Sequence, residues 1–290
     1  MTAEATSAGP ILWITLSTPD LDASLSAWAA GLGLTVVEQG VVSDRLAGAY
    51  GAPALSGARW ALLGGRLGGI RLIESAAGAE EDAPLASQGW AAAELSVADA
   101  DAACSRAIGA GFRALGAPRP LGSNTAIRAG QVAVPGGGAL YLTDIRAYDG
   151  PLDLWRAARA VDRAFIAVLA SEDLDRDRDW LEAEGVGARV TDRPVKVPVL
   201  QDRLGLEEDE TIRISSVQLA GGCLIEIDAY PEGTPRRRTR EGWPAGVAMV
   251  TLATASAPDG ARPCPEPPYD GRAARVDRLP GGAMLERVGP

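Results

Sequence analysis

One order of elements, strand–helix–strand–strand–strand, runs three times along this chain and a fourth time with a degraded middle, and that recurrence restricts its fold more than any other feature. Ile11–Ser17 alternates like a half-buried strand and runs into the turn Thr18-Pro19-Asp20. Leu21 to Gly31 carries Leu and Ala at helical spacing, with Asp20 placed to cap the helix and Gly31 and Gly33 to end it. Leu34–Glu38, Arg59–Leu63 and Gly69–Glu74 complete the first unit as strands. The order returns as Ala91–Val97, a helix over Ala100–Ala110 behind Asp99, Phe112–Leu115, Ala126–Val134 and Ala139–Ile145. It returns again as Ala164–Ala170, a helix over Leu174–Glu184 behind Asp173, Ala188–Thr191, Ile212–Leu219 and Cys223–Ala229. The fourth unit reads as Val247–Ala253, Ala274–Asp277 and Ala283–Val288, and its proline-rich middle, Ser256 to Arg272, predicts an extended crossover in place of a helix.

A chain of 290 residues usually needs more than one core. We expect an α+β protein whose four βαβββ modules form two domains, modules one and two in 1–150 and modules three and four in 164–290, with 151–163 as the linker. The chain contains no histidine. A Ser-His-Asp triad, a Cys-His dyad and a two-histidine carboxylate iron site are therefore excluded, and the commonest transition-metal ligand is missing. A net charge of −10 disfavours nucleic acid and anionic membrane as partners. No stretch approaches the ~20 apolar residues of a membrane span. Met1 to Pro10 lacks the basic-then-apolar pattern of a signal peptide, and Cys104, Cys223 and Cys264 are too few and too scattered for a disulfide framework. These features predict a reduced, cytoplasmic setting. The expected partner is a small organic molecule, and a homodimer is left open.

The arrangement resembles the vicinal oxygen chelate superfamily of glyoxalases, bleomycin-resistance proteins and extradiol dioxygenases. The resemblance rests on Trp13-Ile-Thr-Leu-Ser-Thr-Pro-Asp-Leu21 leading into Gly31-Leu-Gly-Leu34, and on Gly69-Ile-Arg-Leu-Ile-Glu74. Module three repeats them as Ile166-Ala-Val-Leu-Ala-Ser-Glu-Asp-Leu174 and Leu224-Ile-Glu-Ile-Asp228. It implies two glyoxalase-type domains in which paired modules curve their mixed sheets into cups, with helices outside. It also implies that metal ligands stand in the first and last strands of each module. Those positions are held by Trp13 and Arg71, Ala92 and Tyr141, Ile166 and Glu226, and Met249 and Glu286. No set of metal ligands results, so no metal and no cofactor is expected.

The resemblance together with strand alternation turns Trp13, Thr15, Arg71, Glu94, Tyr141, Glu226 and Glu286 into the cups. In the first cup Arg71 would bind a carboxylate or enolate while Trp13 stacks on a planar ligand, with Tyr141 as acid and Arg128 and Gln131 along one wall. The competing reading is a degenerate cup in which Arg71 pairs with Glu94. In the second cup Glu226 and Glu286, if they converge, would form a proton-transferring pair, with Met249 beside them. Otherwise they would pair with Arg213, Arg275 or Arg287. The function expected is metal-independent lyase or isomerase chemistry on a partly hydrophobic aromatic or carbonyl-bearing metabolite. The alternative is a non-catalytic protein that sequesters such a molecule.

Overall fold

The computed structural model describes residues 8–79, 83–121 and 124–290, so most of the Met1 to Pro10 segment lies outside it. Module one contains β1 (Ile11–Thr18), α1 (Leu21–Leu32), β2 (Val36–Val41), a short α2 (Asp44–Ala49), β3 (Arg59–Leu63) and β4 (Gly69–Glu74). Module two contains β5 (Gly89–Val97), α3 (Ala100–Gly109), β6 (Arg113–Leu121), β7 (Asn124–Ala133) and β8 (Ala139–Ile145). Module three contains β9 (Val161–Ser171), α4 (Leu174–Ala183), β10 (Ala188–Val195), a second short helix α5 (Pro198–Leu204), β11 (Ile212–Leu219) and β12 (Cys223–Ala229). After the two-residue strands β13 (Thr239–Arg240) and β14 (Trp243–Pro244), module four contains β15 (Val247–Ala253), β16 (Arg262–Pro263), β17 (Ala273–Arg278) and β18 (Met284–Gly289). No helix interrupts its middle.

The caps read from sequence operate as such. Asp20, Asp99 and Asp173 accept backbone N–H bonds from Ala23, Ala102 and Arg176, each satisfying an orphan donor of a first helical turn. Asp99→Ala is expected to cost about 1 kcal/mol, read as a lower urea midpoint with an unchanged slope.

Two curved eight-stranded sheets result. One runs β16-β17-β18-β15-β1-β4-β3-β2 and the other β10-β11-β12-β9-β5-β8-β7-β6. First and last strands of each module pair in parallel, and the modules join through the antiparallel pairs β1/β15 and β5/β9. Module one therefore shares its sheet with module four, and module two shares its sheet with module three. This corrects the expected division into 1–150 and 164–290, since neither half of the sequence is a sheet of its own. The physical reason is that every module leaves its first strand with an open edge that any second module can cover. Four copies of one pattern carry no periodicity that names the partner.

The two sheets are held to each other by close contacts. Helix α1 packs on α3, and its Trp28 meets Phe112, just beyond α3, edge-on with ring centroids 5.6 Å apart. The two helices pack tightly at Gly31, where a Cβ would lie 3.1 Å from the Ala107 Cα. Trp90 donates its indole N–H to the Met284 carbonyl at 2.7 Å, and Arg287 reaches Glu184 at 2.9 Å. The segment 151–163 is thus not a hinge between independent domains. No described helix is long and apolar enough to cross a membrane, and all three cysteines are free and buried.

Candidate functional site

The two cups have become different objects. In the module one/four cup, Trp13, Tyr50, Arg71, Met249, Tyr269 and Glu286 are all buried, none more than 2% exposed. Thr15 and Thr251 face the same space and are fully buried. The Arg71 Nε donates to the Thr15 hydroxyl at 2.9 Å, and its Nη1 donates to the Tyr269 and Tyr50 hydroxyls at 2.9 and 3.2 Å. Glu286 accepts from the Tyr269 hydroxyl at 2.7 Å and from the Thr251 hydroxyl at 2.8 Å. Because Tyr269 spends its one proton on Glu286, Tyr50 must donate to Tyr269 across their 2.8 Å contact. Arg71 Nη2 lies 3.7 Å from a Glu286 oxygen.

Aromatic and aliphatic side chains close over this network. Trp13 packs edge-on to Tyr269 at 5.7 Å and presents its ring to the Arg71 guanidinium at 5.5 Å, while Tyr50 packs on Trp243 at 5.4 Å. Burial pushes the Tyr50 phenol up to about 12 and raises Tyr269 as well, so both stay neutral. This cup is a sealed core around an ion pair. Trp13, Thr15 and Arg71, expected in the first cup, and Met249 and Glu286, expected in the second, converge on one another. Tyr50 and Tyr269 escaped the sequence reading because α2 and the extended 256–272 segment, which carry them in, lie between the repeated elements.

The module two/three cup is open. Its cavity measures about 630 Å³. Glu94, Gln131, Tyr141, Thr143, Ser216, Glu226 and Asp228 form the polar part of its lining, with Ile127, Phe165, Ile166, Val199 and Leu224 as apolar wall. Strand register explains the grouping. Glu94 on β5 lies beside Tyr141 on β8, which lies beside Gln131 on β7, and Glu226 on β12 lies beside Ser216 on β11. Helix α5 crosses from β10 toward β6, where a Cβ on Gly116 would touch Val199 at 3.4 Å. The supposed linker also contributes wall, through Pro151, Leu152 and Leu154, with Tyr148 just before it.

Several expected placements are corrected here. Glu226 and Glu286 do not converge, because they belong to different sheets. Arg71 pairs with Glu286, whereas Glu94 accepts from Thr143 in the other cup. Tyr141 and Gln131 belong to the open cup, and Arg128 lines neither. Arg128 and Gln131 stand three positions apart, so they face opposite sides of β7, and Arg128 pairs with Asp101 at 2.7 Å. Arg213 is occupied by Asp175 and Asp192, and both Arg275 and Arg287 by Asp277.

The acids of the open cup lack cationic hydrogen-bond partners, and their protonation is displaced accordingly. Burial, reinforced by Glu226, raises Glu94 to about 8, with the Thr143 hydroxyl bond opposing. Burial raises Glu226 to about 7, moderated by the positive charge of Arg193. Asp228 is pushed well above the carboxylate range by burial and by both glutamates, and its Oδ1 has no hydrogen-bond partner. Tyr141 is raised as well, so it remains a neutral donor. At neutral pH the floor thus holds protonated acids beside one carboxyl poised to ionise. Glu226 ionises near 4.5 when free and near 7 in the folded chain. An unfolded chain therefore loses that proton first, and stability falls as pH rises through this window. Glu226→Gln is expected to raise stability at pH 8 by on the order of 2 kcal/mol, read by urea unfolding, and to leave it little changed at pH 4.

Neither cup offers the donors of a metal site. The equivalent positions are Trp13, Arg71, Met249 and Glu286 in one and Ala92, Tyr141, Ile166 and Glu226 in the other, one carboxylate apiece. Among the described residues no three His, Cys, Asp or Glu side chains are grouped to hold an ion. The residues present do not fit a divalent cation.

Comparison with known proteins agrees with this geometry. The profile of the Glyoxalase/Bleomycin resistance protein/Dioxygenase superfamily matches residues 11–137. Glyoxalase I from Zea mays is 16% identical over 96% of this chain and 92% of its own, with a TM-score of 0.62. A putative dioxygenase from Bacillus subtilis is 17% identical over 98% of this chain and 86% of its own, with a TM-score of 0.61. At such identities the likeness concerns the fold. A search of curated proteins found no match.

Proposed function

Taking as premise a chain of this superfamily, by sequence over residues 11–137 and by fold throughout, we propose that its module two/three cavity transfers protons on a small apolar carbonyl compound without a metal. The reading rests on one observation above all. Glu226, ionising at about 7, faces an open cavity beside the neutral hydroxyl of Tyr141 and a Glu94 carboxyl that ionises at about 8. A base with a pKa near ambient pH and donors kept neutral by burial are the two requirements for enolising a carbon acid.

In this mechanism the Glu226 carboxylate removes the proton from the carbon next to the carbonyl. The electron pair moves onto the carbonyl oxygen, which accepts hydrogen bonds from Tyr141 and from protonated Glu94 or Asp228. Apolar walls around Phe165 and Leu152 keep water away and strengthen those bonds. Returning the proton to a different carbon gives an isomerase. Expelling a leaving group from the adjacent carbon gives a lyase. Arg71 and Glu286 take no part and serve the sealed cup.

The test uses 2-tetralone, a neutral bicyclic ketone, in D2O with chelator present. Loss of its α-hydrogen NMR signal at a rate that falls in Glu226→Gln supports proton transfer. The second reading, sequestration of a cationic amine, draws on the absence of a protein cation in hydrogen-bond contact with the floor acids. Saturable fluorescence change with an aromatic amine, and no exchange on the ketone, would favour it.

A further inference from the structure

The floor of the open cup is acidic, but its mouth is not. Arg119 on β6 and Arg193 and Lys196 at the end of β10 line the cavity and are exposed. These strands are the two outer edges of one sheet, brought toward each other by its curvature and bridged by α5. Lys196 is the only lysine in the chain. No side chain of the three makes a hydrogen bond or ion pair with the described residues, although the charge of Arg193 reaches Glu226, whereas Arg213 on the neighbouring β11 is held by two aspartates. Asp202 is the one acid among the exposed lining residues. Three cations without a side-chain hydrogen bond or ion pair therefore stand at one opening of a protein whose net charge is −10. Low-dielectric walls there concentrate their field over the mouth.

We propose that the cavity's occupant carries an anionic group at its outer end: an aromatic or alicyclic carbonyl compound bearing a carboxylate, sulfonate or phosphate away from the reacting carbon. This deepens the proton-transfer reading and rests on it for the carbonyl, while the anion preference stands on the mouth alone. The two ends of the cavity dictate one orientation. An anion pushed inward would meet Glu94, Glu226 and Asp228, which would have to stay protonated against it. An anion held outward meets Arg119, Arg193 and Lys196 and leaves the neutral carbonyl end for Tyr141 and the floor acids. Exposed guanidinium and ammonium groups contribute modestly one by one, but three around a single anion add up.

The test compares two fluorescent probes of one framework on the full chain. 1-Anilinonaphthalene-8-sulfonate carries the anion, and N-phenyl-1-naphthylamine lacks it. The wild-type chain is expected to bind the sulfonate about tenfold more tightly than the neutral probe, a preference that fades at about 1 M salt. Arg119→Gln, Arg193→Gln and Lys196→Gln combined are expected to erase the preference while leaving the neutral probe within about twofold of wild type. The sulfonate is also expected to protect Lys196 from amine acetylation, read by mass spectrometry at the only lysine. Equal affinity for both probes, or a preference that survives the triple substitution, overturns the proposal. Exchange on 2-tetralone is read separately, so an anion preference without exchange would sink the catalytic reading and leave the mouth standing.

Discussion

Replacing Arg71 with methionine is expected to destabilise the protein by about 3–5 kcal/mol, the usual cost of stranding one member of a buried ion pair. Glu286 would keep its bonds from Tyr269 and Thr251 but lose the one cation within 4 Å among the described residues, at a site buried from solvent. Tyr50 and Tyr269 would lose a donor to their oxygens at the same time. Removing both charges, Arg71→Met with Glu286→Leu, is expected to cost less than the single change, because no charge is then left buried alone. Urea unfolding at pH 7 measures both. The double variant should retain ketone exchange, since its site lies in the other sheet. A single substitution that costs under about 1 kcal/mol would mean that the pair does not hold this core together.

Glu226→Gln is expected to lower exchange on 2-tetralone by about 10²–10⁴-fold, the usual contribution of a general base. The amide is close in shape to the carboxyl, and the same variant is expected to be more stable at pH 8, so the loss cannot be assigned to misfolding. Gain of stability with loss of rate is the mark of a group kept at a cost for function. Wild-type exchange should rise as Glu226 ionises through about 7 and fall as Glu94 ionises through about 8, giving a narrow bell in the pH profile. A flat profile with full activity in Glu226→Gln would remove Glu226 from the chemistry.

The repeated elements could be read from the sequence because each module states its own periodicity and caps its own helix, with Asp20, Asp99 and Asp173 in equivalent places. Inward and outward facing could be read too. Alternation carries Trp13 with Thr15, and Glu226 with Asp228, to the concave faces. What escaped was everything set by relations between modules. Nothing in the pattern of β1 names β15 as its neighbour, so Glu286 was placed with Glu226 and not with Arg71. The residues that decide which cup is open sit outside the repeat. Tyr50 follows α2 and Tyr269 ends the crossover 256–272, and both plug one cup. In the other, α5 and the segment 148–154 frame a cavity instead. Arg128 was misplaced by parity alone, since an odd separation from Gln131 on one strand puts the two on opposite faces.

One cup of this fold is sealed, and the proposal is that the other holds and releases protons near neutrality. Its most direct test needs no substrate. With side-chain carboxyl carbons labelled with ¹³C, and Glu226→Gln used for assignment, NMR titration follows each buried acid in the intact chain. Glu226 is expected to titrate near 7 and Glu94 near 8. If both titrate near the ordinary value of 4.5, the cavity holds plain carboxylates and the proton-transfer site does not exist.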